Sequence, residues 1–323
     1  MTLMKKIYSI HPRQTGLTLI EILVAMVISL ILMAGVLQIF QANKQSFRVQ
    51  ESLSLIQENG RTAMRILSED LRMADFWGCR SQDINITDNL DSAGAGYVDL
   101  LVNGGISGVN GVGTDPDSIT IEGARSTGIS LSATMPTTAA ALLLTSGTGL
   151  QQGDIMLVTD CNQGDIIQIT NANPATSSTI VHNAGGAVSP GNSTSNLSRA
   201  YGTDAMVFQA RQTTYFIAAD PDSGEPSLFR TEGASTVEMV EGIEDMQIQY
   251  GELLDAINGD MRYVSADAAG LNMDQVRSVR ITLTARSTAD NVAFSGSAAS
   301  NNGASGRLRR TFSNTISIRN RNP

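Results

Sequence analysis

Glu21 is the residue whose type and position first suggest a chemical role. It carries the single charge in the 24 residues from Leu17 to Phe40, which are otherwise apolar or uncharged. A carboxylate near the end of a membrane-spanning helix costs on the order of 2–3 kcal/mol or more unless an opposite charge pairs with it. The sequence therefore identifies Glu21 as a carboxylate that needs a partner, although it does not name that partner.

Residue sets typical of catalysis do not occur in the sequence. The only histidines are His11 and His182, and His182 lies alone in a polar stretch, where we expect it at the surface. No serine elbow, phosphate-binding loop, zinc-ligand spacing or HExxH motif is found. We therefore predict no enzymatic activity, no cofactor and no metal ion.

Acidic residues in two loops could together hold a calcium ion. These residues are Asp115, Asp117, Asp220, Asp222 and Glu225. Their spacing does not match an EF-hand loop. Aspartate beside proline, serine and glycine is typical of turns, so turn formation is the preferred interpretation and calcium binding is the alternative.

Two cysteines, Cys79 and Cys161, are present. An even number of cysteines in a chain exported from the cytoplasm favours one disulfide. The alternative is a pair of buried free thiols. The export argument that decides between them depends on the N-terminal segment.

The N-terminal segment that positions Glu21 predicts a membrane anchor. Residues 1–16 contain Lys5, Lys6 and Arg13 but no acid, and the apolar run that follows is long enough, at ~1.5 Å per residue, to span a ~30 Å hydrocarbon core. Positive charge before the run predicts a cytoplasmic N-terminus and a body outside. The run is too long for an ordinary secretory signal and lacks its small-residue cleavage site. A simple signal anchor is the alternative, but it leaves Glu21 unexplained.

The residues Gly16-Leu17-Thr18-Leu19-Ile20-Glu21 resemble the processing motif of type IV prepilins and pseudopilins. The resemblance implies that residues 1–16 are a leader peptide, which a membrane peptidase removes by cutting between Gly16 and Leu17. It also implies that Leu17 becomes the N-methylated terminus and that Glu21 pairs with the α-amino group of a neighbouring subunit.

A helical repeat continues beyond the apolar run. Apolar or small residues recur at three- and four-residue steps, namely Val49, Leu53, Ile56, Gly60, Ala63, Leu67, Leu71 and Ala74. The pattern predicts one long helix, with a transmembrane half at 17–40 and an amphipathic half at 41–77. We expect it to end near Asp75–Gly78, with Gly78 as a left-handed stop.

Residues 78–323 are expected to form a β-rich periplasmic domain. Predicted strands cover 118–122, 154–159, 166–170, 179–182, 206–218, 227–230, 237–241, 246–250, 276–286 and 310–319. Polar loops are predicted at 91–117, 172–196 and 287–306, and a turn at 220–225. The fold class is therefore α+β and pilin-like, with a long N-terminal transmembrane and amphipathic helix packed on a mainly antiparallel β-sheet.

Several body segments resemble the PilW family of minor pilins in type IV pilus assembly. These segments are 153–161, 225–230, 240–250, 276–283 and 310–321. The resemblance implies a minor pilin that helps to prime pilus assembly within a minor-pilin complex, with a location at the pilus tip. The implied partners are other minor pilins, the major pilin, the prepilin peptidase and methyltransferase, and the inner-membrane assembly machinery. The protein would lie in the inner membrane and then in the pilus.

Two other functions are consistent with the sequence. The first is a minor pseudopilin of type II secretion, resembling pseudopilin J, and the second is a membrane-anchored adhesin or ligand-binding module. Nucleic acid is not expected as a partner, because without the leader 19 basic residues face 31 acidic ones. The arginines at 307, 309, 310, 319 and 321 are expected to be solvated or paired within the sheet.

Overall fold

The computed structural model describes residues 18–79, 85–185, 188–255, 257–290, 292 and 306–321. The chain divides into two compact units, Met1–Glu51 and Ser52–Pro323. The boundary between the units lies within one helix, α1 (Leu19–Arg72), which has 54 residues. The helix is continuous across this boundary. What changes there is burial, since the buried side chains of α1 begin at Ser52.

The C-terminal part of α1 packs on the body through one face. The predicted stripe is confirmed from Ile56 onward, since Ile56, Gly60, Ala63, Leu67 and Leu71 are all buried. The helix ends at Arg72, before the predicted region. Asp75 adopts the left-handed conformation at φ 59°, and its N–H donates to the Glu122 carbonyl at 3.0 Å, so the chain leaves the helix to join the sheet.

Eight strands form the larger sheet. Their bounds are β1 (Asn85–Asp88), β2 (Ile106–Val109), β3 (Ser118–Ser130), β5 (Ile155–Thr159), β6 (Gln163–Gln168), β8 (Met206–Ala219), β9 (Pro226–Glu232) and β10 (Ser235–Glu241). The main path runs β1-β6-β5-β8-β3-β2, and β9 pairs with both β8 and β10. Among the described strands of this sheet, β1 and β6 are the one parallel pair. A separate short pair joins β4 (Leu142–Leu143) to β7 (Thr179–Ile180) in antiparallel fashion, and Leu142 and Ile180 belong to a buried core cluster. The short helix α2 (Pro174–Ser177) precedes β7.

Four antiparallel strands form the second sheet. Their bounds are β11 (Ile243–Asp255), β12 (Asp260–Val264), β13 (Val276–Arg286) and β14 (Arg309–Ser317), in the order β12-β11-β13-β14. Alternate residues of β13 are buried, among them Val279, Ile281 and Leu283. This period-two burial is what the sequence predicted for a half-buried strand.

Arg321 joins four segments of the body near the end of the described chain. Its side chain is only 2% exposed. Nη1 donates to the carbonyls of Met273 (2.6 Å) and Val276 (2.9 Å), Nη2 donates to the Asn103 carbonyl (2.7 Å), and Nε donates to Asp75 Oδ2 (3.3 Å). The buried guanidinium thus connects the segment after α1 to the short turn before β2 and to the start of β13.

The predicted strands are confirmed more completely than the predicted loops. Each predicted strand overlaps an observed one, and the predicted turn at 220–225 joins β8 to β9. The loop predicted at 91–117 contains β2, and β1, β4 and β12 were also not predicted. These strands have two to five residues, which is too short for an alternating pattern to stand out. Most of the third predicted loop lies outside the described residues.

Candidate functional site

The start of α1 is closed by a reciprocal pair of hydrogen bonds between Thr18 and Glu21. The Thr18 N–H and its hydroxyl each donate to Glu21 Oε2 at 2.8 Å, and the Glu21 N–H donates to Thr18 Oγ1 at 3.4 Å. This is the geometry of a capping box, in which a threonine and a glutamate three residues later satisfy free N–H groups of the first turn. The Thr-x-x-Glu spacing was visible in the sequence, so this role of Glu21 could have been predicted.

The segment from Leu19 to Phe40 exposes apolar side chains all around α1. Its large apolar residues are at least 50% exposed, and Leu19 reaches 76%. The described residues contain one helix that is long and apolar enough to span a membrane, with a mean hydropathy of 2.7 over its best window. Gly35 has no atom within 4 Å of an ideal Cβ, so it serves no packing role in the isolated chain.

Two of the predicted processing residues, Gly16 and Leu17, lie outside the described residues, as does the predicted leader. Thr18 is the first residue described, and α1 begins immediately after it. Cleavage and methylation at Gly16 and Leu17 therefore stay predictions from the sequence.

A disulfide joins Cys79 to Cys161, with their Cα atoms 5.5 Å apart. It links the segment that follows α1 to the turn after β5, across 82 positions of the sequence. Cys161 takes a positive φ of 68°, and its N–H donates to Thr159 Oγ1 at 3.1 Å. The predicted pairing of the two cysteines is thus present, and neither is a free thiol.

Gly60 is a point of close approach between α1 and β14. An ideal Cβ on Gly60 would lie 2.1 Å from Cε2 of Phe312. Further along the helix, the amide of Asn314 donates to Ser68 Oγ at 3.4 Å. Glycine at position 60 therefore lets the Phe312 ring rest directly on the helix backbone, which any larger side chain would prevent.

The C-terminal arginines at 307 and 309 are paired inside the body. Arg307 binds the Glu225 carboxylate and, at 2.6 Å, Asp290. Arg309 Nε donates to Glu244 Oε2 at 2.5 Å. These ion pairs lower the pKa of the Glu225 and Glu244 carboxyls. The pairing matches the intramolecular interpretation of this cluster, and Arg307 and Arg309 are not displayed for phosphate contacts.

His182 is buried, so the expectation of a surface position was wrong. Its side chain is 2% exposed, and Nε2 lies 3.1 Å from the Ala140 carbonyl oxygen. Burial lowers the pKa of the imidazole. The polar stretch around it folds over the core formed by β4 and β7, which the local composition did not reveal.

Two of the acids considered for calcium binding, Asp117 and Asp220, accept hydrogen bonds from backbone N–H groups of the body. Asp117 accepts hydrogen bonds from the backbone N–H of Gly111 (2.8 Å) and of Ile248 (2.7 Å). Asp220 accepts from the N–H groups of Asp222 and Ser223, as turn formation predicts. Among the described residues, no group of three or more histidine, cysteine or acidic side chains could hold a metal ion.

Glu122 is a buried carboxylate that sequence reasoning missed. It is 2% exposed, and Oε1 accepts a hydrogen bond from Gln212 Nε2 at 2.9 Å. Oε2 has no hydrogen-bond partner among the described residues. Burial raises the pKa of the Glu122 carboxyl to about 7, against the hydrogen bond from Gln212, which lowers it.

Two family models match the chain. The prokaryotic N-terminal methylation motif matches residues 11–37, which contain the predicted cleavage site and the first part of α1. The type IV pilus-assembly protein W family, PilW, matches residues 214–320, from the second half of β8 into the short turn that follows β14. No curated protein and no solved structure matches the chain.

A methylation motif is followed by a long apolar helix and a mostly antiparallel sheet body, and this combination defines a prepilin-type protein. The apolar helix is the part that anchors such a protein in a membrane. The second match narrows the class. Over residues 214–320 the chain is similar to the PilW family, and the two matches together support a PilW-like, type IV pilus-associated pilin. The PilW family is structural and not enzymatic. The predicted resemblance to both families is confirmed.

Proposed function

We propose that the chain is a minor pilin that helps to initiate assembly of a type IV pilus, within a minor-pilin complex at the pilus tip. The observation that carries the proposal is an apolar helix exposed on all sides, followed by a body that matches PilW. Such a helix must be surrounded by lipid or by the helices of other subunits. The PilW match supports a pilus rather than a type II secretion system.

Processing would prepare the helix for assembly. The prepilin peptidase removes residues 1–16, and Leu17 becomes the methylated terminus. Glu21 then pairs with the α-amino group of a neighbouring subunit. The capping geometry supports this role, because among the described residues both bonds from Thr18 go to Oε2, and Oε1 can accept a second donor.

The chain would be inserted with its N-terminus in the cytoplasm. Residues 17–40 span the inner membrane, and residues 41–77 and 78–323 lie in the periplasm before the protein enters the pilus. Its partners would be other minor pilins, the major pilin, the peptidase and methyltransferase, and the assembly machinery of the inner membrane. Its contribution would be structural, without catalysis.

Mass spectrometry of the protein isolated from cells tests the processing step. The expected chain begins at methylated Leu17, and Gly16→Leu should leave the leader attached. Gly35→Leu is the matched control, because nothing lies within 4 Å of its Cβ, and it should be cleaved normally. A wild-type chain that still begins at Met1 would contradict the proposal.

Deletion of the gene tests the assembly role. We expect fewer surface pili by electron microscopy, restored by the wild-type gene but not by the Gly16→Leu gene. A deletion strain with normal numbers of pili would contradict a role in initiation.

A further inference from the structure

Strand β14 forms a long and regular open edge of the second sheet. It is the last strand in the order β12-β11-β13-β14. Its nine residues pair with β13 from Arg309 to Ser317 without a register shift. An unprotected strand edge of this length can pair with another chain.

Alternation of the hydrogen bonds shows which groups of β14 face outward. Just beyond the two ends of the paired region, the Ser287 N–H donates to the Leu308 carbonyl (2.8 Å) and the Ile318 N–H donates to the Arg277 carbonyl (3.0 Å). Leu308 and Ile318 are therefore at hydrogen-bonded positions. Because such positions alternate along an antiparallel pair, the even-numbered residues of β14 are the ones bonded to β13. Thr311, Ser313 and Thr315 therefore direct their N–H and C=O groups away from β13. All three are exposed, and these groups make no backbone hydrogen bond to any other described residue.

Other outer strands of the body carry features that discourage pairing. The pairing of β12 with β11 shifts register between Leu253 and Asp255, and β10 shifts between Glu238 and Val240. Strands β1 and β2 have only four residues each. Bulges and short length are common protections of sheet edges, and β14 has neither.

A shallow basic groove follows this edge. It has a volume of about 360 Å³ and lies between Arg61, Met64, Arg65 and Ser68 of α1 and residues 312–314 of β14. Both charged residues that line it are arginines. Arg65 pairs with Glu69 only at the surface, at 3.7 Å, and such exposed pairs are weak.

A third arginine extends the positive charge along the strand. The Arg310 guanidinium lies over the Phe312 ring, 5.7 Å from its centroid. Without its leader the chain has 19 basic and 31 acidic residues, so this groove has the opposite sign to the protein as a whole. Opposite charge steers a partner to a site and selects among partners.

We propose that the free edge of β14 accepts an extended acidic segment of another pilus subunit, which adds a fifth strand to the second sheet. This inference rests on the proposed function, since it takes the donor to be a pilus subunit. Backbone groups of Thr311, Ser313 and Thr315 supply the hydrogen bonds, while Arg61 and Arg65 select the acidic side chains.

A second copy of this chain is a poor donor through the same edge. Antiparallel pairing of β14 with another β14, centred on Ser313, would bring Arg61 and Arg65 of both copies to the same stretch of the edge. Like charges across paired strands destabilise the pair. The charge pattern therefore favours a different subunit as the donor.

Proline substitution in the full-length chain tests the hydrogen bonds. Ser313→Pro removes an outward N–H, a position at which edge strands tolerate proline, and Ser313→Ala keeps that N–H as the matched control. A photoreactive residue at Thr311 should form an adduct with another pilus subunit in cells. We expect the adduct to be lost in Ser313→Pro and retained in Ser313→Ala, with no adduct from Thr236 on the bulged strand β10.

Charge reversal keeps the test valid if Ser313→Pro does not fold. Arg61 and Arg65 are both exposed, so the double change to glutamate should leave the thermal unfolding of the body unchanged but abolish the adduct. The double change to lysine preserves the charge and should retain it. Mass spectrometry of the adduct should map to a segment rich in aspartate or glutamate.

The outcomes separate this inference from the proposed function. If the gene deletion removes pili but Ser313→Pro and the glutamate variant keep both pili and adduct, the strand-addition proposal is wrong and the assembly role stands. An adduct only with a second copy, or none at all, also overturns it. Normal pili after deletion would contradict the assembly role, whatever happens at Thr311.

Discussion

The two parts of α1 differ in what surrounds their apolar side chains. Between Leu19 and Phe40 the large apolar residues are 50–76% exposed, whereas Ile56, Leu67 and Leu71 are at most 2% exposed. Both parts are continuous helix with similar local geometry. The difference lies in pattern, because the first part is apolar on every side and the second on one stripe.

This contrast separates two uses of apolar surface. The stripe is buried within the body and contributes to its free energy of unfolding. The fully apolar segment buries nothing within the chain and is suited to lipid or to other helices. A change in one part should therefore alter body stability alone, and a change in the other should alter membrane association alone. Two substitutions in α1, Ile28→Arg and Gly60→Ala, test that separation, and two outside it, Arg321→Met and Glu122→Gln, test other contributions to the stability of the body.

The largest effect is expected for Arg321→Met in the body. Removing the guanidinium leaves Asp75 and three carbonyl groups without their donor, which typically costs about 3–5 kcal/mol. Denaturant unfolding of the full-length protein should show this loss, while membrane association is unchanged. Arg319→Met is the matched control, because Arg319 is exposed in the same short turn and should change stability by less than about 0.5 kcal/mol. Equal effects of the two changes would show that Arg321 is not an anchor.

Ile28→Arg should produce the opposite result. Ile28 is 52% exposed, so the free energy of unfolding of the body should not change. Arginine at the centre of a spanning helix costs about 2.5–3.5 kcal/mol, so the fraction of protein that resists alkaline extraction from membranes should fall. Ile28→Leu is the control and should behave as wild type. Loss of body stability in Ile28→Arg would break the proposed separation.

Glu122→Gln should change how the stability of the body depends on pH. Burial raises the pKa of Glu122 from 4.5 to about 7, so between these values the folded protein keeps a proton that the unfolded chain has released. The free energy of unfolding should therefore fall as pH rises through this window, by about 3 kcal/mol for this one residue.

The glutamine variant has no proton to lose at this position. Its unfolding curves at pH 5 and pH 8 should differ less than those of wild type. Its free energy of unfolding should exceed that of wild type only at the higher pH. Glu69→Gln, at a surface ion pair, is the control and should leave the wild-type pH dependence intact. A pH dependence unchanged in Glu122→Gln would mean that this carboxyl is not the titrating group.

The smallest expected effect compares the two glycines of α1. In Gly60→Ala the new Cβ forces the Phe312 ring to move, and crowding of this kind costs about 1–3 kcal/mol, against a gain of about 1 kcal/mol in helix propensity. The melting temperature of the body should fall slightly. Gly35→Ala meets nothing and should not lower it. A rise for both variants would show that helix propensity outweighs packing at position 60.

Much of the fold could be predicted because its signals are local. The 24-residue apolar run, the stripe from Ile56 to Leu71 and the alternation in β13 each follow from side-chain periodicity. The Thr18–Glu21 cap is equally local, since its Thr-x-x-Glu spacing stands in the sequence. Short strands such as β1 and β12 escaped because pairing with neighbours, and not their own pattern, makes them strands.

The sequence by itself determined the class of this protein, since a membrane anchor, a processing motif and a helix period are all read along the chain. Tertiary structure alone decided that His182 is buried, that Arg321 joins four segments and that β14 has an open edge. Each of these depends on residues up to 246 positions apart, such as Asp75 and Arg321, whose meeting is set by sheet order and packing. Local periodicity carries no information about such distant contacts.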